Sequence, residues 1–71
     1  MDSPNAKEIA GKNIRRLREK KNLTQEQVAK KAKLKSTNYF AVIERGEVET
    51  STTNYIKIAK VLGVRVDDLF N

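Results

Sequence analysis

Residues 23–46 read LTQEQVAKKAKLKSTNYFAVIERG, and the reading of this stretch decides the fold. Thr24-Gln25-Glu26-Gln27 has the form of a capping box, in which a hydroxyl and an amide three residues apart each satisfy the other's backbone N–H. Behind it Val28, Ala29 and Ala32 supply the buried stripe of a short helix. Lys33-Leu34-Lys35 breaks that helix, with Leu34 turned inward. Ser36 then caps a second helix whose buried face is Phe40 and Ile43, and Gly46 stands in the usual post-helix position. Two short, separately capped helices joined by a tight break let one brace the other.

On the N-terminal side, Asn22 suits a left-handed stop for a preceding helix, with Leu23 packing back toward the core. In that helix Ala6, Ala10, Ile14 and Leu17 recur at steps of four, four and three, with Ile9 beside them, and nearly every other position is charged. Ser3-Pro4 can open it as cap and first-turn proline, leaving residues 1–5 a loose end. Gly11 interrupts the pattern at a cost of about 1 kcal/mol relative to alanine. Either the helix begins near Gly11, or another backbone packs closely against it.

On the C-terminal side, Glu47 to Thr50 forms a polar loop. Thr50 or Ser51 caps a further helix with Tyr55, Ile56, Ala59 and Leu62 inward, stopped by Gly63. Val64 and Val66 lead into a last turn, Asp67-Asp68-Leu69-Phe70, with acids at the end where the helix dipole favours them. The sequence therefore predicts one all-α domain over residues 1–71, built of four to five short helices.

Composition narrows the function. A chain of 71 residues buries only about 60% of its unfolded surface, so its stability is modest. It has no cysteine and no histidine, which removes disulfides, thiolate metal sites and the commonest general base. No metal or cofactor is expected. Asp67 and Asp68 are adjacent and face different directions on a helix, Glu47 and Glu49 lie on a polar loop, and three scattered glycines make no phosphate-cradling loop. An enzyme is not expected. No stretch reaches the roughly 20 apolar residues of a membrane span, and Met1 to Ala10 lacks the apolar run of a signal peptide. The expected setting is the cytoplasm, with no membrane partner.

Charge points to a polyanion. Residues 1–35 carry eleven Lys and Arg against four acids, whereas residues 36–71 carry four against five. A basic half suits DNA, RNA or an acidic surface, although solvated helix faces kept basic for solubility give the same imbalance. Single-strand RNA binding wants exposed aromatics for stacking, and only Tyr39, Phe40, Tyr55 and Phe70 are present, some of them destined for the core.

Four blocks in order, Gly11-Lys12-Asn13-Ile14-Arg15-Arg16-Leu17-Arg18, Leu23 to Ala29, Ile43-Glu44-Arg45-Gly46 and Ile58 to Val64, resemble the phage-repressor and Cro-like (XRE-type) helix-turn-helix family. The resemblance runs from about Ile9 to Phe70. It implies sequence-specific binding of double-stranded DNA by a repressor-like transcription regulator, with the third helix in the major groove. It implies phosphate contacts from Gln25, Lys35, Ser36 and Arg45, and an ion pair between Arg18 and Glu44 beneath the motif. Base reading falls on Thr37, Asn38 and Tyr39, with Val42 offering a thymine methyl an apolar contact. Two departures stand out. The family's usual turn glycine is replaced by Lys33-Leu34-Lys35, one residue longer than is typical, and no Arg, Lys or Gln lies between Ser36 and Ile43. The resemblance also implies a homodimer on DNA, for which the last helix and Leu69-Phe70 are the available surface unless both residues simply close the core of a monomer. A protein-interaction module, with Tyr39 and Val42 as its apolar patch, is the alternative reading.

Overall fold

The computed structural model describes residues 5–71. Four α-helices, α1 (Ala6–Lys20), α2 (Gln25–Lys31), α3 (Thr37–Glu44) and α4 (Thr52–Leu62), are followed by a 3-10 turn, Val66–Leu69. Each helix starts on a residue able to accept from the exposed N–H groups of its first turn. The Asn5 side chain accepts from Glu8 N–H, and the Asn5 backbone N–H donates to the Glu8 carboxylate in return. Thr24 and Gln27 form the expected reciprocal pair at 3.1 and 2.8 Å. Ser36 accepts from Tyr39 N–H, and Ser51 rather than Thr50 caps α4. The cap of α1 is thus Asn5, not the Ser3-Pro4 pair, which lies outside the described residues, and Asn5 belongs to the helix start rather than to a loose end.

The helices end by similarly local means. Asn22, Gly46 and Gly63 all take positive φ, as expected for residues that stop helices. Lys33 does too, with φ 56°, and this is how the α2–α3 turn closes without a glycine. Leu34 N–H then reaches back to Ala29 carbonyl at 2.9 Å, which turns the Leu34 side chain onto the core. The turn is closed at the cost of placing a Cβ where L-residues are strained.

Ala10, Ile14, Val28, Phe40, Ile43, Ile58, Leu62 and Leu69 are essentially inaccessible and form one core, with Leu17, Leu23 and Val64 packed around it. Two inward assignments fail. Ala6 is exposed, because it lies in the first turn of α1 beyond the reach of its neighbours. Ile56 is 46% exposed, because α4 buries Tyr55, Ile58, Ala59 and Leu62, and position 56 falls on the flank of that stripe. Leu69 and Phe70 separate: Leu69 is buried, while Phe70 remains partly exposed and sets its ring edge-on to Tyr55 at 5.1 Å. Asn13, midway along α1, ties the chain's end down by donating to the Leu69 and Asn71 carbonyls at 2.8 and 3.0 Å.

Gly11 is helical, and the second of its two readings holds. A Cβ at this position would lie 2.5 Å from Glu44 carbonyl oxygen and 2.9 Å from that of Ile43. The C-terminal end of α3 therefore rests directly on the backbone of α1. This contact brings Glu44 under α1, where Arg18 meets it in a two-pronged pair, Nε to Oε2 at 2.6 Å and Nη2 to Oε1 at 3.1 Å. Arg18 Nη1 also donates to Leu23 carbonyl, and Gln25 Nε2 donates to Glu44 Oε1 at 3.0 Å. The Glu44 side chain is 2% exposed. The hydrogen bond with Glu44 holds the Arg18 guanidinium above its already high ordinary pKa.

These contacts bear directly on stability. Glu44→Ala strands an amide and a guanidinium that is only 13% exposed, and breaking a well-buried pair costs about 3–5 kcal/mol, with the lower end apt here. A small domain has only about 5 kcal/mol or a little more to lose, so the variant should be largely unfolded in a urea titration that leaves the wild type intact. Melting within a degree or two of wild type would exclude it. Lys33→Gly removes left-handed strain of about 1–2 kcal/mol, less about 0.4–1 kcal/mol for the freer unfolded chain. It should therefore raise the thermal midpoint by a few degrees; a lower midpoint would mean that the Lys33 side chain makes a contact worth more than the strain.

Candidate nucleic-acid interface

With its back fixed by Phe40, Ile43 and Glu44, α3 has one free face. Asn38, Val42 and Arg45 follow one another along it at steps of four and three, with Thr37 beside Asn38 at the first turn. Thr37, Asn38 and Arg45 are exposed and Val42 is half-buried. The Asn38 side chain makes no hydrogen bond among the described residues, so its amide is free to offer a donor and an acceptor side by side.

The remaining candidates divide by what already holds them. Lys35 is exposed just ahead of the α3 cap, and its ammonium lies 4.5 Å over the Tyr39 ring. Ser36 Oγ accepts from Tyr39 N–H at 2.9 Å, which leaves its own hydrogen to give away. Arg45 is paired with Glu47 at 2.8 and 3.2 Å, both side chains about half exposed. That hydrogen bond holds the Glu47 carboxyl below the usual carboxylate range and the Arg45 guanidinium above its own. Gln25 is turned inward: its amide serves Glu44, and only its second amide hydrogen remains for an outside acceptor.

Tyr39 is placed differently from the other three base candidates. Its hydroxyl lies 2.7 Å from Thr50 Oγ1, and Asn54 Nδ2 donates to the same Thr50 oxygen at 2.8 Å. The ring therefore spans from α3 to the N-terminal end of α4 rather than projecting from the free face. Thr50 is 6% exposed, so the centre of this cluster is withdrawn from water, while Tyr39 and Asn54 are half-buried on either side of it. Neither Thr50 nor Asn54 is legible in the sequence as a functional residue, since Thr50 reads as an ordinary polar loop position. Only the return of the 45–51 loop brings both under Tyr39.

The basic half of the chain is displayed to solvent on the two helices that precede α3. Lys12, Arg15, Arg16, Lys20, Lys21, Lys30, Lys31 and Lys33 are all exposed on α1, α2 and the turns after them. Of these, Arg15 alone has an acidic partner among the described residues, Glu19 at 3.6 Å, an exposed pair of little energetic weight. No helix among the described residues is long and apolar enough to cross a membrane.

Comparison with known proteins agrees with this arrangement. The family described as Helix-turn-helix matches residues 14–69. Control protein C.BamHI of Bacillus amyloliquefaciens is 38% identical over 68 residues, covering 94% of this chain and 83% of the relative. Among solved structures, the restriction-modification controller protein C.AhdI from Aeromonas hydrophila superposes with a TM-score of 0.84 at 33% identity, over 90% of this chain and 96% of the other. The clp gene regulator ClgR from Corynebacterium glutamicum reaches a TM-score of 0.90 at 28% identity, over 96% of this chain and 71% of the other. Capped α2 and α3, their tight turn and the Arg18–Glu44 pair beneath them stand within the matched segment. The chain belongs to the helix-turn-helix family of DNA-binding transcription regulators, of the XRE type.

Proposed function

We propose that α3 enters the major groove of double-stranded DNA, with its first turn toward the base edges, and that the chain acts there as a repressor-like regulator in the cytoplasm. The observation that carries this reading is the free face of α3, an unengaged Asn38 between two cations, Lys35 and Arg45, on a helix whose other side is locked into the core. Similarity to control protein C.BamHI and to the restriction-modification controller protein C.AhdI supports a controller role.

Within this reading the work is divided. Lys35, Ser36, Arg45 and the second amide hydrogen of Gln25 supply phosphate contacts, which set position and most of the affinity. Asn38 reads sequence, because an amide pairs with adenine N6 and N7 in the major groove. Thr37 and Val42 contribute a methyl each toward thymine. Two copies would sit on half-sites about 34–36 Å apart. Exposed Ile56 and Phe70 supply apolar area for their contact, and Lys57 and Lys60 on α4 are opposite in charge to Asp67 and Asp68 on the terminal turn.

The test is to select bound sites from random duplexes and then titrate salt. With about three to five charged contacts per subunit, log affinity should fall with log salt at about −0.9 per contact. Lys35→Ala and Arg45→Ala should each weaken binding to every sequence alike and flatten that slope by about one unit. An unchanged slope in both variants would place the phosphate-binding surface elsewhere. Asn38→Ala should behave oppositely. It should cost about 1–3 kcal/mol on the selected site and relax preference at one base pair, with folding and non-specific binding intact. Equal losses on selected and random DNA would reassign Asn38 to the backbone.

A further inference from the structure

Resting on the DNA-binding reading, we infer that Tyr39 is a phosphate donor rather than a base reader, and that Thr50 and Asn54 are positioning residues that aim its hydroxyl hydrogen outward. The direction of the hydrogen bonds in the buried cluster decides this. Asn54 Nδ2 can only donate, so Thr50 Oγ1 is an acceptor in that bond. Thr50 still carries a hydrogen of its own, and it is nearly inaccessible to water. Among the described residues the acceptor within reach of that hydrogen is Tyr39 Oη at 2.7 Å. A buried hydroxyl hydrogen left without an acceptor is costly, so the favoured order runs Asn54 to Thr50 to Tyr39.

Tyr39 Oη then accepts, and its own hydrogen is free to leave the cluster. Half-buried Tyr39 lies beside exposed Lys35, whose ammonium sits over the ring. A cation on the ring face draws electron density from the phenol and makes it a better donor. Hydroxyl and ammonium together make a two-donor seat for one phosphate oxygen next to the cap of α3. Neither Thr50 nor Asn54 touches DNA in this arrangement; both act through Tyr39.

Asn54→Asp tests the direction with almost no change of shape. A carboxylate at position 54 can only accept, so Thr50 would donate to it, Tyr39 would donate to Thr50, and the outward hydrogen would be lost. The fold should hold, because the new carboxylate would stand in the first turn of α4, where the helix dipole favours an acid, and the Ser51 cap is untouched. Affinity is read on a mixed-sequence duplex at low salt, for Asn54→Asp alone, Tyr39→Phe alone and the two combined. The expected result is a loss of about tenfold for Asn54→Asp when Tyr39 is present, the size of one charge-assisted hydrogen bond. In the Tyr39→Phe background the same change should cost no more than about twofold, the share due to the added negative charge.

Equal losses in the two backgrounds would overturn the inference and leave simple charge repulsion. Thr50→Val and Thr50→Ser guard against a folding artefact. Thr50→Ser keeps the hydroxyl and should preserve the coupling between positions 39 and 54, whereas Thr50→Val should abolish it. Coupling that survives Thr50→Val overturns the relay. If the wild type itself shows no salt-sensitive binding, the DNA reading falls first and the relay with it, an outcome distinct from equal losses in a protein that binds.

Discussion

Among the described residues a single carboxylate, that of Glu44, is withdrawn from water, and most of the structure can be followed outward from it. Burying a charge costs several kcal/mol unless geometry and hydrogen bonding return it. Here Arg18 grips both oxygens from α1, and Gln25 adds a third donor from the first residue of α2. The three helices are thereby set at one point. The close approach that allows it depends on Gly11, since any side chain there would push α3 off α1 and lift Glu44 away from Arg18. Hydrophobic packing of Phe40 and Ile43 holds α3 against the core without direction. The ion pair adds direction, fixing the rotation of the helix and hence which face it leaves free.

How legible a feature is in the sequence follows the distance over which it is determined. The Thr24–Gln27 box lies within one helical turn, and so do the stops at Asn22, Gly46 and Gly63; their chemistry is complete in a few consecutive residues. Helical phase is less secure at the ends. Ala6 fits the spacing of its stripe but has nothing above it to pack on, and Ile56 competes with Ile58 for the inward side of α4. The Arg18–Glu44 pair, separated by 26 residues, is reached from the sequence by resemblance alone, since no local pattern joins the two. The Tyr39–Thr50–Asn54 cluster carries no local signature at all, because it exists only once the loop between α3 and α4 has folded back.

The α2–α3 turn shows how a helix break can close without a glycine. In place of the glycine the backbone goes left-handed at Lys33, and Leu34 bonds back to Ala29. The strain amounts to about 1–2 kcal/mol, which burial of part of a leucine can offset. Conformation is kept here at the expense of stability, while the lysine adds one more exposed cation to the basic half.

The proposed interface is also a compromise between holding a cation and freeing it. Arg45 is already engaged by Glu47, so a phosphate that takes Arg45 must displace a carboxylate, and the carboxylate stays nearby with its charge restored to solvent. Because both side chains are well exposed, the pair is worth little to the fold, and the exchange is close to neutral. What Glu47 does accomplish is orientation: it limits the directions that the Arg45 side chain at the end of α3 explores. Lys35 is restrained in a parallel way by the Tyr39 ring at the other end of the helix. The two cations that flank α3 are thus pre-placed by neighbours that hold them weakly. In the proposed complex with DNA, that arrangement reduces the side-chain entropy lost on binding while leaving each charge available to a stronger anion.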